Sequence, residues 1–478
     1  MKDTKPDSLN NFYALEESPS ERKALFEKIQ IFSEEFIDTI ETQKAFHSES
    51  HLEIENDSFF KVDDQKASVD SILDFFKERV LDTGLNPASG GRLGYIPGGG
   101  IYSSALGDYL AAITNRYAGV FYASPGAVRM EDSLINWAGK LIGYTDTFGG
   151  NLTSGGSMAN LIALHTAKHN KGITNSKASK SVIYCTSQTH HSIYKALKVI
   201  GLEACILREV SVDSQFKISI ETLKTQIKHD KHIGLTPFLI IANAGSTDVG
   251  AVDPLIQLST LSKKHNIWFH VDAAYGGFFM LTALGSDKLK GIELADSLIL
   301  DPHKGMFMPY GLGIVLVKNV EHLAAAHSYD ANYMRDAKME NQYSPADLSP
   351  ELSKHFRGLR MWLPLKLYGV TVFSDYLNEK LQLTDYLNRE LKKIGYTILC
   401  EPDLSVIAFR LELKGYDSDV LNKIVLDYIQ NDGRIFISST ILNNKLALRA
   451  AILSFRTHKK EIDLLLHLLS EIKIHLDI

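Results

Sequence analysis

The sequence predicts an α/β fold: a mostly parallel central sheet covered by helices on both faces, preceded by a helical segment and followed by a small α+β domain. Two observations carry that prediction. Short apolar runs recur through the middle of the chain, "SVIYCTS" from 181, "PFLIIANAG" from 237, "IWFHVDAA" from 267, "SLILD" from 297 and "GIVLVK" from 313. Most are continuous rather than alternating, as strands buried on both faces are, and helical patterns separate them. The texture also changes near residues 88 and 375, which divides the chain into 1–87, 88–375 and 376–478.

Each part has its own justification. In the first, "SPSERKALFEKIQIFSEEFIDTI" spaces Leu25, Ile29, Phe32, Phe36 and Ile40 at steps of three or four after a Ser-Pro-Ser start, which predicts an amphipathic helix. Such a stripe has to be covered, by the body of the chain or by a second subunit. The second part opens with glycine turns, "ASGGRLGYIPGGG", and then alternates strands with helices. The third closes with "EIDLLLHLLSEIKIHL", where Ile462, Leu465, Leu469, Ile472 and Leu476 mark one helix face.

The 478 residues are 45% apolar, enough for a sizeable core, and carry a formal charge of -6. Lysines and arginines are scattered, which argues against a nucleic-acid or anionic-membrane surface and favours a small-molecule partner. The three cysteines, Cys185, Cys205 and Cys400, show no metal-ligand spacing, a usage typical of a reducing compartment. The start, "MKDTKPDSLNN", lacks the apolar core of a signal peptide, and no run of 18 apolar residues occurs. A soluble cytoplasmic protein is expected.

In open α/β sheets ligands bind beyond the C-terminal ends of the strands, so the polar residues that end each apolar run are the candidates. "IWFHV" is followed by Asp272 and Ala274, "SLIL" by Asp301, His303 and Lys304, "PFLIIANAG" by Ser246 and Thr247, and "SVIYCTSQT" by His190 and His191. Each alone has a plainer explanation: a helix cap or ion-pair member, a solvated chain end, turn formers, packed histidines. "NLTSGGSMANLIALHTAK" from 151 reads as a glycine turn entering a helix near Ser157, whose N–H groups suit a phosphate. A simple glycine loop is the other reading, because no GxxxxGK[ST] and no GxGxxG after a strand is present. Taken together, a lysine that can form an imine, an acid for a ring nitrogen, a histidine for a flat ring and a phosphate cradle are the needs of pyridoxal 5′-phosphate. The competing metal site has no HExxH or comparable spacing.

Six stretches, "ASPGAVRMED", "SGGSMAN", "THHSIYKA", "HVDAAYGG", "DPHK" and "HFRGLRMWLPLKLYG", stand in the order found in a known family. Over nearly its whole length the chain resembles the group II pyridoxal-phosphate decarboxylases, which include aromatic-L-amino-acid and glutamate decarboxylases. The resemblance implies a PLP-dependent transferase-like fold (fold type I) and a Schiff base between cofactor and Lys304. It implies that Asp272 pairs with the pyridinium nitrogen, that Ala274 lies under the ring and that His190 stacks above it. Gly155, Gly156 and Ser157 match the phosphate loop, with His303 and Asp301 beside it, and Thr247 falls near the ring. Burial of the lysine amine would favour the uncharged nucleophile this chemistry needs. Tyr333, in "SYDANYMRD", matches the mobile-loop tyrosine that protonates the substrate α-carbon, giving an amine; relatives with phenylalanine there make aldehydes with oxygen. The family works as a homodimer with its active site at the interface.

The substrate side departs from the aromatic branch. Tyr95 is retained, but Ile96 stands where an aromatic ring is usual, Gly98 where a hydroxyl residue is usual, and Gly119 near an expected phenylalanine. These imply a wider or reshaped pocket, and Gly305, in place of a bulky residue, implies looser packing beside the cofactor. Arg449 fits an arginine of the aromatic branch, or equally a structural salt bridge. The expected reaction is decarboxylation of an aromatic or bulky apolar L-amino acid to the amine and carbon dioxide. The alternatives are an acidic amino acid as substrate or a PLP-dependent carbon–carbon lyase.

Overall fold

Among the residues described by the computed structural model, 15–47, 58–329 and 343–477, seven strands form the central sheet. In chain order they are β1 Gly149–Thr153, β2 Ser181–Cys185, β3 Ile206–Glu209, β4 Thr236–Asn243, β5 Trp268–Asp272, β6 Ser297–Leu300 and β7 Gly313–Val317. Their order across the sheet is β1-β7-β6-β5-β4-β2-β3, and β7 runs against both of its neighbours while the other pairs are parallel. The register sets Asn243 beside Asp272 and Asp272 beside Ile299, so β4, β5 and β6 end side by side. That alignment brings distant polar residues to one edge.

Strands β2, β5, β6 and β7 are buried at every position, as their unbroken apolar runs require. Side chains such as Tyr184, Phe238 and Phe269 are fully buried, each worth roughly 2–3 kcal/mol in transfer from water. β3 alternates half-buried and exposed residues at the sheet edge, and β1 contains two glycines. Neither was singled out as a strand, because an edge strand has one wet face and glycine carries no apolar signal.

The N-terminal helix Pro19–Thr39 begins as its sequence indicates, with Ser18 and Glu21 forming a reciprocal capping box. None of its residues is buried. Phe32 lies 6.0 Å from Phe76, and Lys28 pairs with Asp70 at 2.6 Å, so one side rests on the helix Val69–Phe76. Leu25 and Ile29 stay 39% and 42% exposed, so this chain alone covers only part of the stripe.

A helix of 36 residues, Gly358–Lys393, runs across the expected boundary at 375 and is interrupted at Gly369, whose φ of 72° breaks the helical path. It leads to a second sheet, β8 Thr397–Ile398, β9 Val406–Arg410, β10 Ser438–Leu442 and β11 Lys445–Ala451, antiparallel in the order β8-β9-β11-β10. This sheet and the helices Ser418–Asp432 and Lys459–His475 enclose a core containing Phe409, Val425, Leu448, Leu465 and Leu469. No helix among the described residues is long and apolar enough to cross a membrane.

Candidate active site

β6 ends at Leu300, and the chain turns at once into the short helix Pro302–Gly305 with Asp301 as its N-cap residue. This single turn brings Lys304 back over Asp301, with Nζ 3.1 Å from Oδ2. The amine is less buried than the sequence suggests: the side chain is 21% exposed and has a buried carboxylate as partner. His303 Nε2 lies 3.6 Å from the same oxygen, while Nδ1 is 2.5 Å from the Leu312 carbonyl oxygen. A carbonyl only accepts, so Nδ1 carries the proton. Burial pushes the His303 pKa down, against the pull of Asp301.

Asp272 closes β5 and faces the same cavity. Its Oδ1 accepts the Ala274 backbone N–H at 3.1 Å, and its Oδ2 accepts from Asn160 Nδ2 at 3.0 Å. His190 caps the helix His191–Val199, and its Nδ1 accepts the Ser192 backbone N–H at 3.3 Å and lies 2.8 Å from Ser192 Oγ. Burial lowers its pKa, with Asp272 opposing. An imidazole whose Nδ1 accepts carries its proton on Nε2.

The glycine turn after β1 leads into the helix Gly156–Asn170. Gly155 has φ 147°, a backbone that favours glycine, and a Cβ there would lie 3.3 Å from His303 Cε1. A Cβ on Gly156 would come within 2.8 Å of Asp301 Oδ2. The turn is therefore packed against the lysine segment by the absence of side chains, leaving the first N–H groups of the helix at the cavity.

These elements enclose a cavity of about 430 Å³ that gathers Gly155, Gly156, Ser157, His190, Thr247, Asp272, Ala274, Asp301, His303 and Lys304. An adjoining cavity of about 480 Å³ shares His190, Thr247 and Lys304 and adds Tyr95, Ile96, Arg92 and Arg449. Tyr333 lies outside the described residues. Among the described residues Arg449 makes no ion pair of the kind considered from sequence; it donates to the carbonyls of Thr247, Asp248 and Tyr95 and to Ser438, tying three segments together.

Three glycine expectations are overturned. A Cβ on Gly98 would sit 2.1 Å from the His303 carbonyl oxygen, one on Gly119 2.4 Å from that of Leu352, and one on Gly305 2.8 Å from Phe278 Cβ. These glycines admit neighbouring chain rather than widen a pocket or loosen packing. Gly98 lines a separate cavity, with Phe36 and Pro309, behind His303. Sequence reasoning also missed Asn160, Ser192, Arg92 and Tyr310. The only sequence signal for Asn160 is a lone amide inside an apolar helical run.

The arrangement fits pyridoxal 5′-phosphate: one cavity is lined by Ala274 and His190, the carboxylate of Asp272, the side-chain-free turn at Gly155 and Gly156 and the amine of Lys304. Comparison with known proteins agrees. The pyridoxal-dependent decarboxylase conserved domain matches residues 62–412. An aromatic-L-amino-acid decarboxylase of Bacillus atrophaeus is 35% identical over 376 residues, covering 77% of this chain and 78% of its own length. A phenylacetaldehyde synthase of Arabidopsis thaliana is 27% identical, covering 84% and 85%. The crystal structure of Catharanthus roseus tryptophan decarboxylase with L-tryptophan superposes with a TM-score of 0.89 at 21% identity, covering 96% of this chain and 99% of that one. The strand-end constellation and these matches lead to one conclusion: this chain belongs to the pyridoxal-dependent decarboxylases, amino acid carboxy-lyases that use pyridoxal 5′-phosphate.

Proposed function

We propose that this protein decarboxylates an aromatic L-amino acid to its amine, with Lys304 holding the cofactor covalently and Asp272 facing its ring nitrogen. The observation that carries the proposal is the convergence of Lys304, Asp272, His190 and the Gly155–Ser157 turn on one cavity. When bound, pyridoxal phosphate supplies an electron sink for the electron pair left behind as carbon dioxide departs. The carboxylate of Asp272, held by two N–H donors, favours a proton on the ring nitrogen. His190, which lines the same cavity and carries its proton on Nε2, would stand over the ring. The N–H groups at the start of the helix Gly156–Asn170 would receive the phosphate, with His303 and Thr247 at the cavity wall.

Support for an aromatic substrate comes from the relatives, among them the Bacillus atrophaeus enzyme, and from a side cavity walled by Tyr95, Ile96 and Tyr310. Tyr333 is assigned as proton donor to the α-carbon. Relatedness to a phenylacetaldehyde synthase favours one second reading, an aldehyde product, and the identity of residue 333 speaks against it. We also infer a homodimer, with the site completed at the interface. The exposed Leu25, Phe26 and Ile29 of the N-terminal helix, and Leu106, Tyr109, Leu110 and Ile113 on Tyr102–Thr114, provide its apolar surface. Three free cysteines support a cytoplasmic location, and the core around Phe409, Val425 and Leu465 supports a distinct C-terminal unit.

The test is release of carbon dioxide and amine from tyrosine, tryptophan, phenylalanine, their hydroxylated forms, glutamate and aspartate, with pyridoxal phosphate supplied. Rapid stoichiometric amine from an aromatic member is expected, and Lys304→Ala should lose both turnover and the lysine-linked cofactor absorbance. Preference for glutamate or aspartate would overturn the substrate assignment, and persistence of that absorbance in Lys304→Ala would overturn the role of the lysine.

A further inference from the structure

His270 lies two residues before Asp272 on β5, on the same face of the strand, and is fully buried. Its Nδ1 is 2.9 Å from Ser297 Oγ on β6, and its Nε2 is 2.9 Å from Asn160 Oδ1. Ser297 Oγ also accepts the indole N–H of Trp268 at 2.9 Å. Asn160 sits one turn inside the helix that begins at the glycine cradle, and its amide nitrogen donates to Asp272 Oδ2 at 3.0 Å and to Ser192 Oγ at 3.1 Å.

The chemistry of these groups fixes a direction for the chain. Trp268 can only donate and a carboxylate can only accept, so the amide of Asn160 must present its nitrogen to Asp272 and its oxygen to His270. His270 Nε2 then carries the proton, which leaves Nδ1 to accept the Ser297 hydroxyl hydrogen. Burial holds the His270 pKa down, to about 4, consistent with this single neutral tautomer. The second N–H of Asn160 goes to Ser192 Oγ, which can then pass its own hydrogen to His190 Nδ1. One amide thus sets both the carboxylate at the edge of the ring space and the tautomer of the imidazole over its face.

We propose that Asn160 and His270 are positioning residues for the cofactor ring: the donor chain Trp268–Ser297–His270–Asn160 orients Asp272 as an acceptor for the protonated ring nitrogen, and Asn160, through Ser192, keeps the His190 proton on the cavity side. The proposal rests on the assignment of Asp272 to the ring nitrogen. His270 does not line the cavity and Asn160 stands at its wall only 1% exposed, so their effect is assigned to the groups they hold, Asp272 and His190.

The test compares binding of two ligands to the apoprotein: pyridoxal phosphate, and its 1-deaza analogue, which has C–H in place of the ring nitrogen. Affinities are read from intrinsic fluorescence for the wild type, His270→Phe, Asn160→Leu, Asp272→Asn and the conservative His270→Gln, whose amide can still donate to Asn160. The wild type should favour pyridoxal phosphate by about 10- to 100-fold, the worth of a charge-assisted hydrogen bond. His270→Phe and Asn160→Leu should each reduce that ratio by about tenfold, and His270→Gln should restore most of it. A role in packing alone would weaken both ligands equally and leave the ratio unchanged. An unchanged ratio in His270→Phe and Asn160→Leu, with a lowered one in Asp272→Asn, would overturn the relay while sparing Asp272. Absence of any preference in the wild type would overturn the assignment of Asp272 itself. Ser297→Ala, which removes a single hydroxyl, should lower the ratio as well and decides the question if the larger changes do not fold.

Discussion

Gly156→Ala sets two opposed effects against each other. Alanine in place of glycine in the first turn of a helix is worth about 0.4–1 kcal/mol through helix propensity and lost unfolded-state entropy. Against this, the new Cβ would lie 2.8 Å from Asp301 Oδ2 and 3.2 Å from both Asp301 Oδ1 and Ile299 Cδ1. Ordinary contact begins near 3.4 Å, so Asp301, itself 2% exposed, must yield by about 0.6 Å. Overpacking of this kind costs about 1–3 kcal/mol, so mid-range values leave the clash ahead by about 1.3 kcal/mol and the upper end by about 2.6 kcal/mol. If the carboxylate moves away from Lys304, the Nζ to Oδ2 distance grows from 3.1 Å toward about 3.7 Å, beyond hydrogen-bond range. Urea unfolding of the apoprotein should show the net loss, and pyridoxal phosphate should bind about tenfold more weakly, read by fluorescence titration. Gly126→Ala is the matched control, because Gly126 also lies in a first helical turn but a Cβ there meets nothing within 4 Å, and it should be neutral or slightly stabilising. A Gly156→Ala protein as stable as that control, with unchanged cofactor affinity, would refute the argument that the cradle is shaped by Asp301.

Tyr333→Phe should shift the product from amine toward aldehyde with consumption of oxygen, measured by paired amine, aldehyde and oxygen assays; an unchanged amine yield would remove Tyr333 from the chemistry. Arg449→Met should cost about 2–4 kcal/mol in urea unfolding and raise KM more than it lowers kcat, because Arg449 donates to Thr247, Asp248, Tyr95 and Ser438 around the substrate side. The His327 pKa is pushed down to about 4 by burial, so the unfolded chain binds the extra proton between pH 6.5 and 4 and stability falls as pH falls through that window. Between pH 7 and pH 5 this amounts to about 2 kcal/mol, which His327→Phe should not lose; equal losses in variant and wild type would show that His327 does not carry it.

The parts of the fold that were legible share a cause. β2, β4, β5, β6 and β7 are enclosed on both faces, and enclosure leaves an unbroken apolar run whose final polar residue marks the strand end. Parallel strands in register then bring those ends together, which is why Asp272, Lys304, Thr247 and His190 could be grouped before any geometry was known. β3 had no such mark, because half of it faces water.

The misread positions share a different cause. In Gly98, Gly119 and Gly305 a missing side chain looks the same whether it leaves space or admits another segment, and the segments admitted here are 205, 233 and 27 residues away along the chain. Asn160 was hidden for a related reason. An amide within an apolar helical run is ordinary until the partners of its three polar hydrogen-bonding sites are known, and these lie at 192, 270 and 272. Groups that touch a ligand stand at strand ends, where the chain pattern changes. Groups that hold those in place lie inside elements, where a polar residue is conspicuous only through the cost of burying it unpaired. Since Asn160 is 1% exposed and bonded on both sides of its amide, replacing it strands donors and acceptors belonging to Asp272, Ser192 and His270 together. The effects of Asn160→Leu and His270→Phe on cofactor selectivity should therefore not add: the double variant should resemble Asn160→Leu alone, since His270 acts on Asp272 only through that amide.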